Sequence, residues 1–158
     1  MCILRDMNIR SARNEDAAAV RHLVFGVLAE YGLNPDPTGT DADLDDIEAS
    51  YLTSGGIFDL VEDDSGRLIA TVGLFPRAPG VVELRKMYVA KDARGQGLGK
   101  RLLEHAIARA RERNFRRIEL ETAGALVEAI GLYTGRGFTP METSHLAARC
   151  DRAFGMAL

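Results

Sequence analysis

Apolar residues recur along the chain at two spacings, and the switches between them mark its elements. Met7 to Arg10 reads as a short strand. Ala17, Val20, Val24, Val27, Leu28 and Tyr31 then fall at helical intervals. Asn14 is placed to cap that helix, with Glu15 and Asp16 in its first turn and Gly32 at its end. Asn34 to Gly39 is a loop by its breakers. Asp41 to Leu52 follows as an acidic helix with Leu44, Ile47 and Tyr51 on one side, broken by Ser54-Gly55-Gly56.

Strand-like runs occupy Ile57–Glu62 and Leu68–Phe75, joined by a hairpin signal, Asp63-Asp64-Ser65-Gly66. Pro76 to Gly80 predicts a turn, and Val81 to Val89 another strand. The clearest helix is Leu98–Arg113, where Leu98, Leu102, Ala106 and Ala110 form an i, i+4 stripe and Asn114 closes the end. Ile118, Leu120 and Thr122 alternate with Glu119 and Glu121 as a strand. Leu126, Ala129, Ile130 and Tyr133 mark a further helix stopped by Gly135 and Gly137. Phe138 to Pro140 begins a strand, and Phe154, Met156 and Leu158 alternate in a last one. The order predicts an α/β fold: a mixed, mostly antiparallel central sheet flanked by helices, locally parallel around the Leu98 helix.

Composition narrows this picture. The chain has 158 residues, 46% hydrophobic and 27% charged, so a single domain over residues 1–158 with one core is expected. Met1 to Asp6 reads as an extension, and Met7 is an alternative start. Twenty Lys and Arg against 23 Asp and Glu give a net charge of −3, which argues against a nucleic-acid partner. No apolar run approaches the ~18 residues of a membrane span, so no membrane partner is expected. Cys2 and Cys150 form neither a CxxC nor a zinc pair, which predicts free thiols and a cytoplasmic setting. His22, His105 and His145 are scattered, so no metal is expected, and Ser144-His145 lacks a nucleophile elbow. Cys150 beside Asp151 reads more simply as a core thiol than as a nucleophile. The arginines at 109, 111, 113, 116 and 117 read as a solvated face.

The segment richest in chemistry is Arg94-Gly95-Gln96-Gly97-Leu98-Gly99-Lys100, between a strand and a long helix. Glycines allow positive φ, so backbone N–H groups can converge on one anion at a helix N-terminus, with Arg94 and Lys100 as rim cations. Lys100 stands where a dinucleotide fingerprint needs its third glycine, and Arg94 and Arg101 break the P-loop pattern. The alternative is a glycine-rich turn with no ligand.

Arg94 to Gly99 resembles the Q/R-x-x-G-x-G/A acyl-CoA signature of the GNAT superfamily of N-acetyltransferases. Glu83 to Val89 is similar to that family's splayed fourth strand, and Ala129-Ile130-Gly131-Leu132-Tyr133 followed by Gly137-Phe138 to its second conserved block. The resemblance spans roughly residues 7 to 158. One departure is Leu126, where the family often has Asn.

The resemblance implies an acyl-CoA N-acyltransferase fold binding acetyl-CoA as co-substrate between the Val81–Val89 and Ile118–Thr122 strands. It implies a diphosphate on Arg94, Gly95, Gln96, Gly97, Leu98, Gly99 and Lys100. The backbone of Met87, Tyr88 and Val89 would pair with the pantetheine, with Thr122 and Ala129 also at the cofactor, and the Val89 N–H would polarise the thioester. Tyr133 matches the family's tyrosine that protonates the departing thiolate; a plain core tyrosine is the alternative, and Tyr88 is a reserve acid. Glu83 matches a position that serves as general base in some members; the alternative is pairing with Arg85 or a neighbouring cation. Even spacing sets Glu83 and Val89 on one face, about 20 Å apart.

Asp36, Asp41, Asp43, Asp45, Asp46 and Glu48 form a stretch with no internal cation. As a negative rim it would steer a cationic amine; as a bland alternative it is a solvated helix face. The expected activity is transfer of an acetyl group to a primary amine of a small or amino-acid-like acceptor, by direct attack in a ternary complex. A non-catalytic acyl-CoA-binding sensor or interaction module on the same fold is the alternative, and a homodimer is one expected assembly.

Overall fold

A computed structural model describes residues 8–142 and 146–158. Met1 to Met7, with Cys2, and Ser144-His145 lie outside the described residues. The elements are β1 (Asn8–Ser11), α1 (Ala17–Glu30), β2 (Ile57–Glu62), β3 (Leu68–Ala78), β4 (Val81–Val89), α2 (Leu98–Glu112), β5 (Arg117–Thr122), α3 (Val127–Arg136), β6 (Thr139–Met141) and β7 (Arg152–Ala157). They build one seven-stranded sheet in the order β1-β2-β3-β4-β5-β7-β6. Every neighbouring pair is antiparallel except β4 and β5, which α2 connects as a parallel crossover.

The sheet is covered on both faces. Leu102, Leu103, Ala106 and Ile107 of α2 pack with Val72, Leu74, Val82 and Ile118, and Tyr133 and Phe138 extend that cluster. On the other face Val20, Val24 and Leu28 of α1 pack with Leu44, Ile47, Tyr51 and Phe58. Both clusters follow from the alternation of the strands and the stripe of each helix.

Three expected elements take another form. Asn14 does not cap α1: the segment Asn14–Asp16 is a 3-10 turn, with the Arg13 N–H donating to Asp16. Asn14 instead ties this corner to Asp46 and Glu48. The acidic helix is two short pieces, a 3-10 turn at Ala42–Asp45 and a π turn at Glu48–Leu52. Asp46 leaves helical space between them (φ −142°, ψ 82°), and its side chain accepts from Ala49 N–H, a local bond that competes with helix continuation. Leu44, Ile47 and Tyr51 are nonetheless buried as their spacing predicts. Finally, Pro76 sits within β3 rather than in a turn. Pairing with β2 ends at Ile57 and Leu74, so beyond Leu74 this strand has no neighbour on its β2 side, where proline costs no ladder bond.

The feature that positions the site is a bulge in β4. Thr71 pairs with Tyr88 and Gly73 with Arg85, so three steps on β4 oppose two on β3. The extra residue falls at Lys86, a non-glycine with φ +54°. Such a bulge bends its strand and increases the local twist. Parallel pairing of β4 with β5 is confined to Val81–Glu83 against Arg117–Glu119, and the two strands part beyond it. The bulge also overturns the expectation that Glu83 and Val89 share a face. Val89 packs against the α2 cluster, as does Met87, whereas Glu83 and Arg85 face the α1 side, with Arg85 over Phe75.

Candidate active site

A cavity of about 830 Å³ fills the opening between β4 and β5. Of the residues predicted to form the site, it brings together Glu83, Met87, Tyr88, Val89, Arg94, Gly95, Gly97, Leu98, Gly99, Lys100, Thr122, Ala129 and Tyr133. Gln96 is left out, on the exposed outer side of the glycine loop.

One end of the cavity is the glycine loop. Gly95 and Gly97 have φ of +80° and +78°, and a Cβ at either would meet open space, so backbone conformation rather than crowding selects glycine. Gly97 is the residue from which α2 starts, so unpaired N–H groups of the first turn point toward the loop. Lys100 has no ion-pair partner among the described residues. Arg94 is placed differently from the rim cation expected: its guanidinium pairs with Glu30 at 2.7 Å, lies 5.6 Å from the centre of the Tyr31 ring, and donates to Val89 O at 3.0 Å. One of its terminal nitrogens is buried without a hydrogen-bond partner. That unspent donor, the open glycine loop and the parted strands fit an anionic, elongated cofactor such as acetyl-CoA.

In the middle, the end of β4 exposes backbone. Ala90 N–H donates to Ile69 O at 2.8 Å across β3. Partners alternate along an antiparallel pair, so Val89, opposite Ala70, turns its N–H away from β3 and into the opening. Tyr133 stands across from it on α3, with its ring 5.8 Å from Phe138 and its hydroxyl without a hydrogen-bond partner among the described residues. Burial, with Tyr88 nearby, holds that hydroxyl well above the usual tyrosine range. Tyr88 is pushed up to about 12, chiefly by burial; Arg149 opposes the rise and Asp41 adds to it. Both phenols are therefore protonated at neutral pH.

The far end is ionic. Glu83 is 6% exposed and accepts from Arg85 Nε at 2.8 Å, with Arg77 at 3.7 Å. Glu121 was not singled out in the sequence, because alternation alone made it a polar strand residue. It lines the cavity, and one of its oxygens accepts from Ala147 N–H. Among the described residues no cation pairs with it. Cys150, read from the sequence as a core thiol, is half-buried and lines the same end. Its thiol is pushed up to about 11, first by burial and then by Glu121.

The acidic stretch is not an unpartnered rim. Asp41 is 1% exposed and receives both terminal nitrogens of Arg149 at 2.7 Å, Lys86 Nζ at 3.1 Å and Asp36 N–H at 2.8 Å. Asp43 accepts from the Tyr51 hydroxyl and lies 3.3 Å from Lys86 Nζ. Its Oδ1 still has no aligned hydrogen bond, because that ion pair is close but badly directed. Asp45 pairs with Arg21, and Asp46 and Glu48 bond Asn14. The cations that answer these carboxylates are far away in the sequence, which is why the stretch looks bare there. The arginine cluster is partly spent in ion pairs as well: Arg109 lies 3.8 Å from Asp59, and Arg117 donates to Glu119 two residues along its own strand.

Among the described residues no cluster of three or more His, Cys, Asp or Glu is set to hold a metal, and no helix is long and apolar enough to cross a membrane.

The family model described as "Acetyltransferase (GNAT) family" matches residues 24–138. The chain is 37% identical over 129 residues to an Escherichia coli protein named "Uncharacterized N-acetyltransferase YjgM", covering 78% of this chain and 77% of that one. Its fold superposes on a GNAT-family acetyltransferase of Staphylococcus aureus with a TM-score of 0.88 and 25% identity, over 96% of this chain and 98% of that one. It also superposes on a phosphinothricin acetyltransferase of Sinorhizobium meliloti solved with acetyl-CoA (TM-score 0.75, 18% identity, 97% and 89% covered).

Proposed function

Because this chain belongs to the acetyltransferase (GNAT) family, whose members use acetyl-CoA, and is an acetyl-transferring enzyme, we propose that it acetylates the primary amine of a small or amino-acid-like acceptor by direct attack in a ternary complex. The observation that carries this reading is one continuous cavity running from the glycine loop to the ionic end, with Val89 N–H and Tyr133 between.

Acetyl-CoA supplies an acyl group already activated as a thioester. The N–H groups of Gly95 to Lys100 and the α2 N-terminus would hold its diphosphate, with Lys100 adding charge and the unspent Arg94 nitrogen a further donor. Val89 N–H would donate to the thioester oxygen as negative charge develops there. The Tyr133 hydroxyl, kept protonated by burial, would give its proton to the leaving sulfur. The ammonium of an incoming amine must lose a proton before attack. Glu83 is engaged by Arg85, so Glu121, with one oxygen unspent among the described residues, is the better placed acceptor of that proton.

Screening amines by thiol release tests the reaction, and a uniform preference for anionic acceptors would refute it. Glu121→Gln should flatten the acid limb of kcat/KM for the best amine, while Glu83→Gln should leave that limb in place and raise KM. The opposite pattern would assign the base to Glu83.

A further inference from the structure

The acceptor end of the cavity is built from three segments that are distant in the chain. The loop 39–43 contributes Thr40 and Asp43, the β4 bulge contributes Arg85 and Lys86, and the segment before β7 contributes Ala147 and Cys150. Few backbone hydrogen bonds join these segments to one another, yet one buried carboxylate touches all three. Asp41 holds Arg149 by two 2.7 Å bonds, and Lys86 Nζ lies 3.1 Å from its Oδ1, the oxygen that also accepts from Arg149 Nη2. Its second role is local: it accepts from Asp36 N–H at 2.8 Å, which closes the loop on itself.

Lys86 is the residue that adopts φ +54° at the bulge. Its carbonyl accepts from the buried Thr71 hydroxyl at 2.7 Å, and its ammonium reaches Asp41, Asp43 and Thr40 O. The side chain is 4% exposed. A left-handed backbone at a non-glycine residue persists only where its surroundings over-determine it, and here the ion pairs supply that determination. We propose that Asp41 is the positioning residue of the acceptor site: through Lys86 and Arg149 it locks the β4 bulge and the two flanking loops into one arrangement, so acceptor affinity depends on it far more steeply than acetyl-CoA affinity. The cofactor end is held by other contacts, among them Arg94 with Glu30 and the start of α2. Asp41 itself touches no reacting atom.

This inference rests on the amine-acceptor reading, so its test needs one readout that does not. In Asp41→Asn, KM for the best amine of the panel should rise at least tenfold, with the calorimetric Kd for acetyl-CoA within threefold of wild type. The rate of Cys150 alkylation by iodoacetamide, followed by peptide mass so that Cys2 is counted separately, should rise severalfold as the Arg149 segment loosens. If the wild-type chain turns over no amine, the acceptor reading fails while the Cys150 rate still judges the junction. An unchanged Cys150 rate, or equal losses in amine KM and acetyl-CoA Kd, would overturn the proposal. Should Asp41→Asn fail to fold, Arg149→Met and Arg149→Lys replace it. The methionine variant should show the same split, and the lysine variant, which keeps the charge but not the fork, should show a smaller one.

Discussion

Tyr133 and Cys150 face the same cavity with protons held tightly, and the consequences differ. Burial raises both, Tyr133 far above the usual tyrosine range and Cys150 to about 11. For Tyr133 this keeps the proton on the hydroxyl until a thiolate develops beside it, so its removal should matter for the chemical step alone. Tyr133→Phe should lower kcat about 100-fold with little change in acetyl-CoA Kd, and an unaltered kcat would return Tyr133 to a core role. For Cys150 the same burial means inertness. At pH 8 only about one thiol in a thousand is ionised, so iodoacetamide should react roughly two orders of magnitude more slowly than with free cysteine. Alkylation at the free-cysteine rate would show that the cavity wall opens. Tyr133 was legible in the sequence because its spacing to Gly137-Phe138 is local. The state of Glu121 and the pairing of Asp41 were not, since Arg149 lies 108 residues from its partner.

Helices and strands are mostly where periodicity puts them, because a stripe such as Leu98, Leu102, Ala106 and Ala110 can be buried in only one way. Periodicity misled where it was satisfied by something other than a helix. Leu44, Ile47 and Tyr51 bury on one side of two separate turns, since burial asks for direction and not for continuous backbone hydrogen bonds. The start of α2 shows the reverse case, a local constraint that the sequence states openly. Gly97 precedes the helix at φ +78° with no neighbour within 4 Å of a notional Cβ, so Gly97→Ala should fit sterically yet strain the backbone. A cost of about 1–2 kcal/mol in urea unfolding is expected, together with weaker acetyl-CoA binding. An alanine variant as stable as wild type would mean that the loop reaches its conformation by another route.

Across the whole molecule the two apolar clusters meet through one sheet, and ion pairs stitch the loops to it. Asp41 and Asp16 are both held below the usual carboxylate value. For Asp41 burial opposes the shift, and Arg149, the Asp36 amide and Lys86 together outweigh it; for Asp16 the Arg10 guanidinium leads. A carboxylate lowered on folding contributes stability that is fully present above its unfolded value, near 4, and is lost as pH falls through the folded one. Urea midpoints should therefore hold steady from pH 6 to about 4.5 and fall below pH 4. Asp41→Asn should be less stable at pH 6 but show a shallower fall, and a parallel fall would remove Asp41 from the account. The element order, the mixed sheet, the glycine loop and the family they point to can be read from the chain alone, because these follow from local periodicity, positive-φ glycine and short spacings. The folded arrangement was needed to show that β4 parts from β5 beyond Glu83, that Glu83 and Val89 take opposite faces, and which carboxylates are spent in ion pairs and which face the cavity. The physical reason is range: a bulge and a buried ion pair join residues tens of positions apart, and no window of neighbouring residues contains the partner that settles the conformation or the charge.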